Sequence, residues 1–170
     1  RDYVQEYSLT ANFDLSSANL VRFFQVRSQD NNIYGLDFNN DGTMMYITGH
    51  QNDSIHQYEL AVGFDLSDVT FLRSQDLSAQ SVTPSNIEFN TDGTRMFIIG
   101  TFEKTVNQYD LSTGFDISTL SHVGFLNLSS EESLPYGLAF SPSGLKMFIT
   151  GSSKKVSEYT LNCPFTLFSG

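Results

Sequence analysis

The chain has 170 residues, which is long enough to bury a sizeable core. Lys and Arg number 9 against 19 Asp and Glu, and the resulting net charge of −10 would repel a phosphate backbone, so we expect no nucleic-acid partner. The single cysteine, Cys163, excludes an intrachain disulfide, and no apolar run reaches the length of a membrane-spanning helix. Phosphate loops, metalloprotease motifs and nucleophile elbows are absent, so we assign no catalytic residue and no cofactor.

The chain begins with two segments of strand-like character, at residues 4–9 and 20–26. From residue 33 onward the sequence repeats itself every 51 residues, as the step from Asp37 to Glu88 shows. Such a period is typical of solenoids and propellers. The repeated segments are Ile33 to Phe38, Pro84 to Phe89 and Pro135 to Phe140. A second repeated motif, which we call the landmark, reads Phe-Asp-Leu-Ser or Phe-Asp-Ile-Ser at 13–16, 64–67 and 115–118, and a degraded copy lies at 165–168.

One repeat contains four predicted strands, at residues 86–90, 95–100, 106–111 and about 121–128. Asp92-Gly93 separates the first two, and Asp-Gly supplies the positive φ that a tight hairpin requires. Asp41-Gly42 occupies the equivalent turn in the preceding repeat, and neither turn has the spacing of a calcium-binding EF-hand loop. We therefore interpret both as hairpin turns.

Four short antiparallel strands are the content of a propeller blade, and no segment has a useful helical period. We predict an all-β propeller with four-stranded antiparallel blades, about three blades per chain. The whole chain, 1–170, is then one repeat domain. It comprises an N-terminal partial blade at 1–32 and repeats at approximately 33–83, 84–134 and 135–161.

The segment from Tyr136 to Gly151, YGLAFSPSGLKMFITG, resembles the YVTN-type β-propeller repeat. The resemblance covers the first two strands of each repeat well and the remainder loosely. That family includes surface-layer proteins and lactonase-like seven-bladed propellers, so the resemblance implies a propeller and favours an extracellular or cell-surface setting. The long repeat of this chain also looks similar to the repeats of environmental bacterial and phage proteins, which as a group have no assigned activity.

The predicted strands do not complete a ring, because about thirteen strands make only a little over three blades. Three blades alone would expose two broad faces and two strand edges. One resolution is a homodimer that closes a six-bladed ring, although the third-strand position is then filled at both ends and one strand is surplus. The other is that the chain is the C-terminal part of a longer propeller. The degraded landmark after residue 161 favours the homodimer with a terminal capping unit.

Asp37 and Glu88 occupy the same position in the first strand, where the third repeat has Ala139. First strands line the axis in this architecture, so these carboxyls either face a hydrated channel or form a site for a cation or a polar ligand. Tyr34, Ser85 and Tyr136 precede the first strands at another equivalent position, and Asn86 follows Ser85. We expect this second group to surround one mouth of the channel, where a tyrosine can offer a polar tip. The candidate ligand-binding residues are therefore Tyr34, Asp37, Ser85, Asn86, Glu88 and Tyr136.

His50, Asp53 and His56 lie close together in sequence and could in principle hold a metal ion. The equivalent positions in the next repeat are Thr101, Lys104 and Asn107, so the repeat does not need metal ligands there. We therefore interpret these side chains as polar surface groups and predict no metal site.

These observations favour a non-catalytic binding module over an enzyme, since propellers expose loops from every blade on two faces. The expected partners are a second copy of the chain and a small polar ligand, a glycan or a protein. The alternative is a lactonase-like or other metal-dependent hydrolase with its site at the propeller axis, which would need unequal side chains around that axis.

Overall fold

The structure, a computed structural model, describes residues 2–168. In that range it confirms the all-β prediction: thirteen strands form four antiparallel sheets, without any α-helix. Two short 3₁₀ turns occur at Leu15–Ser17 and Ile117–Thr119, and no helix among residues 2–168 could cross a membrane. The strands are β1 (Tyr3–Leu9), β2 (Ala18–Gln25), β3 (Ile33–Phe38), β4 (Met44–Gly49), β5 (Ser54–Leu60), β6 (Val69–Asp76), β7 (Pro84–Phe89), β8 (Arg95–Gly100), β9 (Thr105–Leu111), β10 (Leu120–Asn127), β11 (Pro135–Phe140), β12 (Lys146–Gly151) and β13 (Val156–Thr160).

The sheets are the blades of a partial propeller, and each follows the chain order of an antiparallel meander. Strands β3–β6 form blade 1, and β7–β10 form blade 2. Strands β11–β13 form blade 3, which has three strands, and β1–β2 form an N-terminal half-blade. The prediction of four-stranded blades, about three per chain, is therefore confirmed. Strand boundaries differ from the predicted ones by one or two residues, as for β7, which begins at Pro84 and ends at Phe89.

The predicted hairpin turns between the first and second strands are confirmed by their backbone. Gly42, Gly93 and Gly144 have φ values of 73°, 71° and 68°, a region that glycine enters without steric cost. The phenylalanine of the second landmark also has positive φ, 60° at Phe64 and 64° at Phe115. A bulky residue adopts that conformation only where its surroundings compensate, and here each ring covers the hairpin glycine of its own blade.

The core lies between neighbouring blades, because the second strand of a blade presents apolar side chains to both sides. In blade 1, Met45 and Ile47 pack towards the half-blade, in a cluster with Val4. Tyr46 between them packs the other way, towards blade 2, in a cluster with Met96. A third apolar cluster joins blades 2 and 3. Burial of this two-sided kind makes each blade depend on its neighbours for stability.

The two ends of the array are incomplete in different ways. Within residues 2–168, strand β1 pairs with β2 alone, so its other edge has no strand partner there. Strand β12 is paired on both edges, with β11 and with β13, and the same range holds no fourth strand for blade 3. The surplus third strand expected from the sequence is thus present, since β1 and β13 occupy equivalent positions.

Candidate functional site

The first strands of blades 1, 2 and 3 lie side by side, and their C-terminal ends surround a cavity of about 300 Å³. These strands end at Phe38, Phe89 and Phe140, where the hairpin turns begin. The wall therefore combines carboxyl groups, turn residues and aromatic rings. The lining residues are Asp37, Phe38, Asn40, Glu88, Phe89, Asn90, Thr91, Phe115, Phe140, Ser141, Pro142 and Phe165.

Asp37 joins blade 1 to blade 2 through its carboxylate. Its Oδ1 accepts a hydrogen bond of 2.8 Å from the backbone N–H of Phe38, and its Oδ2 accepts one of 3.1 Å from that of Phe89. Burial raises the pKa of Asp37, and the two N–H donors oppose this effect. The side chain is therefore held in place by the fold and also faces the cavity.

Glu88 occupies the equivalent position in blade 2 but has no comparable bond to the next blade. Within the described residues its carboxyl group makes no hydrogen bond, and it is half-buried beside the cavity. Burial, and secondly the negative charge of Asp37, raises the pKa of Glu88 to about 7. At neutral pH the cavity thus contains a carboxyl group close to its titration midpoint.

The remaining predicted site residues lie away from this cavity. Tyr34 is at the other end of β3, where its ring stacks on His50 with centroids 3.9 Å apart. It lines a separate cavity of about 290 Å³ with residues of β1. Tyr136 is about half exposed on blade 3.

Ser85 and Asn86 are engaged in the structure itself. The buried hydroxyl of Ser85 lies 2.8 Å from Thr101 Oγ1, which lies 2.8 Å from the Pro135 carbonyl oxygen. Because the carbonyl can only accept, Thr101 donates to it and accepts the hydrogen bond from Ser85. The amide of Asn86 donates to the Ile87 carbonyl at 3.2 Å. Of the six candidate residues, the structure brings together Asp37 and Glu88 and places the other four elsewhere.

Sequence reasoning missed the turn residues and the landmark rings that complete the cavity. Asn40 donates a hydrogen bond of 2.8 Å to the Thr91 carbonyl, which ties the first hairpin to the second. Phe115 and Phe165 close the cavity from the landmark side. The sequence did contain a signal for these rings, because the landmark recurs in every repeat. In the structure it recurs because its ring packs against the hairpin of each blade.

The three residues considered as metal ligands are not assembled into a site. The interpretation as surface groups is wrong for His56, which is buried with its Nδ1 2.7 Å from Ser74 Oγ, within hydrogen-bond distance. His50 stacks on Tyr34. Across residues 2–168, no group of three or more His, Cys, Asp or Glu side chains is arranged to hold a metal ion.

Comparison with solved structures identifies the fold class. The chain is similar to a putative 6-phosphogluconolactonase of Bacteroides fragilis, with a TM-score of 0.66, 16% identity, and coverage of 94% of this chain and 44% of that one. It is also similar to the periplasmic gluconolactonase PpgL of Pseudomonas aeruginosa, with a TM-score of 0.55, 16% identity, and coverage of 74% and 34%. A chain of a nidogen/laminin complex matches with a TM-score of 0.59 and 14% identity, over 94% of this chain and 57% of that one.

These similarities define the chain as part of a β-propeller and, at such low identity, show the fold alone. The chain spans less than half of the length of the lactonase-like structures that it matches. No protein-family model and no curated protein matches the chain. Membership of the YVTN repeat family is therefore not confirmed.

Proposed function

We propose that the chain is a non-catalytic binding module that takes a small, hydroxyl-rich polar ligand in the cavity at the hairpin ends of the first strands. The observation that carries the proposal is the unequal pair of carboxyl groups. Asp37 is fixed by two backbone N–H donors, whereas Glu88 is turned to the same cavity without a hydrogen-bond partner among the described residues. A ligand hydroxyl would supply the partner that Glu88 lacks.

The rest of the lining suits the same ligand class. Asn90, Thr91 and Ser141 add short polar side chains, and the rings of Phe89 and Phe140 offer apolar surface. Sugar-like molecules present hydroxyl edges and apolar faces, and such a wall can contact both. The negative charge of the carboxyl pair disfavours phosphorylated or strongly anionic ligands.

The test is calorimetric titration of the protein with a panel of neutral monosaccharides and their lactones at pH 6 and pH 8. We expect binding by at least one compound, with about a tenfold loss of affinity in Glu88→Gln or Asp37→Asn, the effect of one hydrogen bond to a charged group. Glu59→Gln is the matched control, because Glu59 is exposed on β5, away from the cavity. Equal affinities for all four proteins would contradict the proposal.

A second candidate is hydrolysis of an uncharged sugar lactone, and the pKa of Glu88 is the observation that favours it. The carboxylate form of a group that titrates near pH 7 can accept a proton from water as the water attacks a lactone carbonyl. The bond from the carbonyl carbon to the ring oxygen then breaks, and the ring oxygen takes the proton to give the open hydroxy acid. Several structural neighbours are described as lactonases, and the acidic wall suits gluconolactone better than its 6-phosphate. The test is to follow the release of acid from gluconolactone by titration with base. Hydrolysis faster than the uncatalysed rate with the parent protein, but not with Glu88→Gln, would support this candidate.

For the assembly, we propose a homodimer in which two chains close a six-bladed ring. It rests on the free edge of β1 at one end and the missing fourth strand of blade 3 at the other. Covering both would remove the exposed strand edges that soluble proteins avoid. The alternative, in which a longer chain supplies the missing strands, predicts that this chain alone remains monomeric at all concentrations.

A further inference from the structure

The landmark phenylalanine makes the same contact in all three blades. Its ring takes the place of a side chain on the hairpin glycine, so that an ideal Cβ at Gly93 would lie 2.3 Å from the ring of Phe115. The backbone N–H of Phe115 also donates to the Gly93 carbonyl, at 3.0 Å. The other two pairs are Phe64 with Gly42, at 3.0 Å between the same backbone atoms, and Phe165 with Gly144, at 2.8 Å.

Phe13 has the same backbone conformation as its counterparts but lacks the contact. Its φ is 60°, and 97% of its surface is exposed. The N-terminal half-blade consists of third and fourth strands only, so it contains no hairpin glycine for Phe13 to cover. The landmark is therefore formed as in the other blades, with its partner surface missing.

The residues around Phe13 show the same deficit. Leu15 is 82% exposed, whereas the equivalent Leu66 and Ile117 are 8% and 0% exposed. Tyr7 is 51% exposed, whereas the equivalent Tyr58 is fully buried. These side chains match the core positions of a blade whose first two strands are absent from the half-blade.

Blade 1 is also incompletely covered, on the face that points towards the half-blade. Leu36 is 48% exposed, although its equivalents Ile87 and Leu138 are 2% and 5% exposed against the preceding blade. Two cavities, of about 290 and 200 Å³, run between β1 and β3 next to Leu36. This groove lies where a first and a second strand of the N-terminal blade would fit.

The charges at the landmark indicate which hairpin fits. The aspartate that follows the phenylalanine pairs with an arginine of the preceding blade in Arg22–Asp65 and Arg73–Asp116, with Nη1 to Oδ1 distances of 2.5 Å. In blade 3 this aspartate is replaced by Thr166, and the fourth-strand position of Arg22 and Arg73 is Gly124 in blade 2. The hydroxyl of Thr166 instead accepts a hydrogen bond from Nη1 of Arg95, a second-strand residue of blade 2 that also pairs with Asp110 at 3.4 Å. The half-blade has the aspartate, Asp14, which would give Arg95 a second carboxylate partner.

We propose that the N-terminal half-blade of one chain docks on the β11–β12 hairpin of a second copy and displaces that copy's own β13 and residues 161–168. The inference rests on the proposed two-chain ring and specifies how its junctions form. In each junction Phe13 covers the second copy's Gly144, and Asp14 takes the place of Thr166 beside the second copy's Arg95. Strand β1 replaces the second copy's β13 on β12, and β2 supplies the missing fourth strand.

The exchange retains the contacts that β13 makes and adds others. Val4, Tyr7 and Leu9 have the same spacing as Val156, Tyr159 and Leu161, so β1 presents the same apolar pattern to the blade. It brings in addition a paired fourth strand and a second charged partner for Arg95, beside Asp110. Residues 156–168 then act as an intramolecular substitute that covers blade 3 until a second copy binds.

The proposed junction would also form an aromatic pair between blade 3 and blade 1 of the second copy. Second-strand rings contact first-strand rings of the following blade in Tyr46–Phe89 and Phe97–Phe140, with centroids 4.6 Å apart in both pairs. The next member of the series is Phe148, and its partner would be Phe38 of the second copy. That contact would fill the groove beside Leu36.

The first test is the mass of the protein in solution, measured by sedimentation equilibrium up to about 50 μM, where a micromolar interface is well populated. We expect a dimer for the parent chain. Phe13→Ser should weaken it about tenfold or more and leave the melting temperature of the monomer unchanged, since the Phe13 side chain is exposed there. The matched control is Phe102→Ser, which alters another ring, 70% exposed, on blade 2. A parent that stays monomeric, or equal dimerisation of the two variants, would overturn the proposal.

The second test uses charge reversal. Asp14→Arg and Arg95→Asp should each weaken self-association about tenfold, because both junctions then contain like charges. Mixing the two variants should restore association, since one junction regains an inverted pair and the other keeps the parental pair. A mixture that associates no better than its components would overturn the junction. The proposed sugar binding depends on Asp37 and Glu88 and is measured in a separate experiment. A protein that binds no sugar could still form the dimer, and a protein that forms no dimer could still bind a sugar, so the two proposals can fail independently.

Discussion

The ring of Phe115 lies against the α-carbon of Gly93, so closely that an ideal Cβ on that glycine would be 2.3 Å from Phe115 Cδ2. Both residues have positive φ, 64° and 71°. The contact therefore couples two backbone conformations that are each unfavourable for ordinary side chains, and it attaches the landmark to the hairpin of the same blade. Because Phe115 also lines the cavity, the same contact shapes the proposed ligand site.

Gly93→Ala should destabilise the chain by about 2 kcal/mol or more. The added methyl group meets the Phe115 ring, and alanine resists positive φ at a cost of about 1–2 kcal/mol. The measurement is urea unfolding followed by circular dichroism. Gly124→Ala is the control, because Gly124 lacks positive φ and an ideal Cβ there would first meet ring atoms of Phe168, at 3.2 Å or more. Equal losses in the two variants would contradict the role of the landmark contact.

The tyrosines of the blade interface should differ in their response to loss of the hydroxyl group. Tyr46 Oη donates a 2.5 Å hydrogen bond to the Phe115 carbonyl across blades 1 and 2, so Tyr46→Phe should cost about 1 kcal/mol. Tyr109 Oη is buried and makes no hydrogen bond within the described residues, so Tyr109→Phe should change the free energy of unfolding by close to zero. Parallel urea titrations compare them. A larger loss in Tyr109→Phe than in Tyr46→Phe would be inconsistent with this assignment.

The fold could be predicted from the sequence because the signals repeat. Each hairpin glycine, such as Gly42, recurs at the same step, and strand periodicity fills the intervals. The surplus third strand was also visible, since Val4 and Val156 begin the same pattern at both ends. The positive φ of Phe64 was not foreseeable, because nothing in the residue type indicates it. That conformation follows from packing on a glycine that lies 22 positions away in the chain.

The candidate site was predictable only in part. Asp37 and Glu88 were found because they occupy the same position in two first strands, and first strands line the axis of a propeller. Tyr34 and Tyr136 were also equivalent in sequence, but they lie at the opposite ends of their strands from the cavity. Equivalence in a repeat establishes a shared position on the blade. It does not establish which end of the strand encloses a cavity, since that depends on how the turns and landmark rings close over it.

Glu132 should give the protein part of its stability at neutral pH and lose that contribution in acid. Its carboxylate accepts hydrogen bonds from Ser153 Oγ, from the backbone N–H groups of Ser153 and Leu134, and from Ser152 Oγ. These donors, Ser153 Oγ first, lower the pKa of Glu132 to about 2 from its ordinary 4.5.

The folded state therefore resists protonation at Glu132, and the stabilisation is present above pH 4.5 and lost as the pH falls towards 2. Glu132→Gln should lower the melting temperature at pH 7 and differ less from the parent at pH 2.5. Glu59→Gln, which alters an exposed residue, is the control for loss of one negative charge. A constant difference between parent and Glu132→Gln from pH 7 to pH 2.5 would show that the carboxylate is not held in this way.

Glu88 should have the opposite effect on stability. Burial first, and the charge of Asp37 second, raise its pKa to about 7 from an ordinary 4.5, so the folded state holds a proton that the unfolded chain releases. The contribution of Glu88 is most favourable below pH 4.5 and is lost as the pH rises to 7. Glu88→Gln should therefore gain in melting temperature relative to the parent between pH 4.5 and 8, measured by differential scanning calorimetry. Histidine titrations overlap this range, but they occur in both proteins and cancel in the difference. Asp37→Asn removes the neighbouring charge, so in that background the melting-temperature gain from Glu88→Gln should develop over a narrower pH range. A difference in melting temperature between the parent and Glu88→Gln that does not depend on pH would mean that the pKa of Glu88 is not raised.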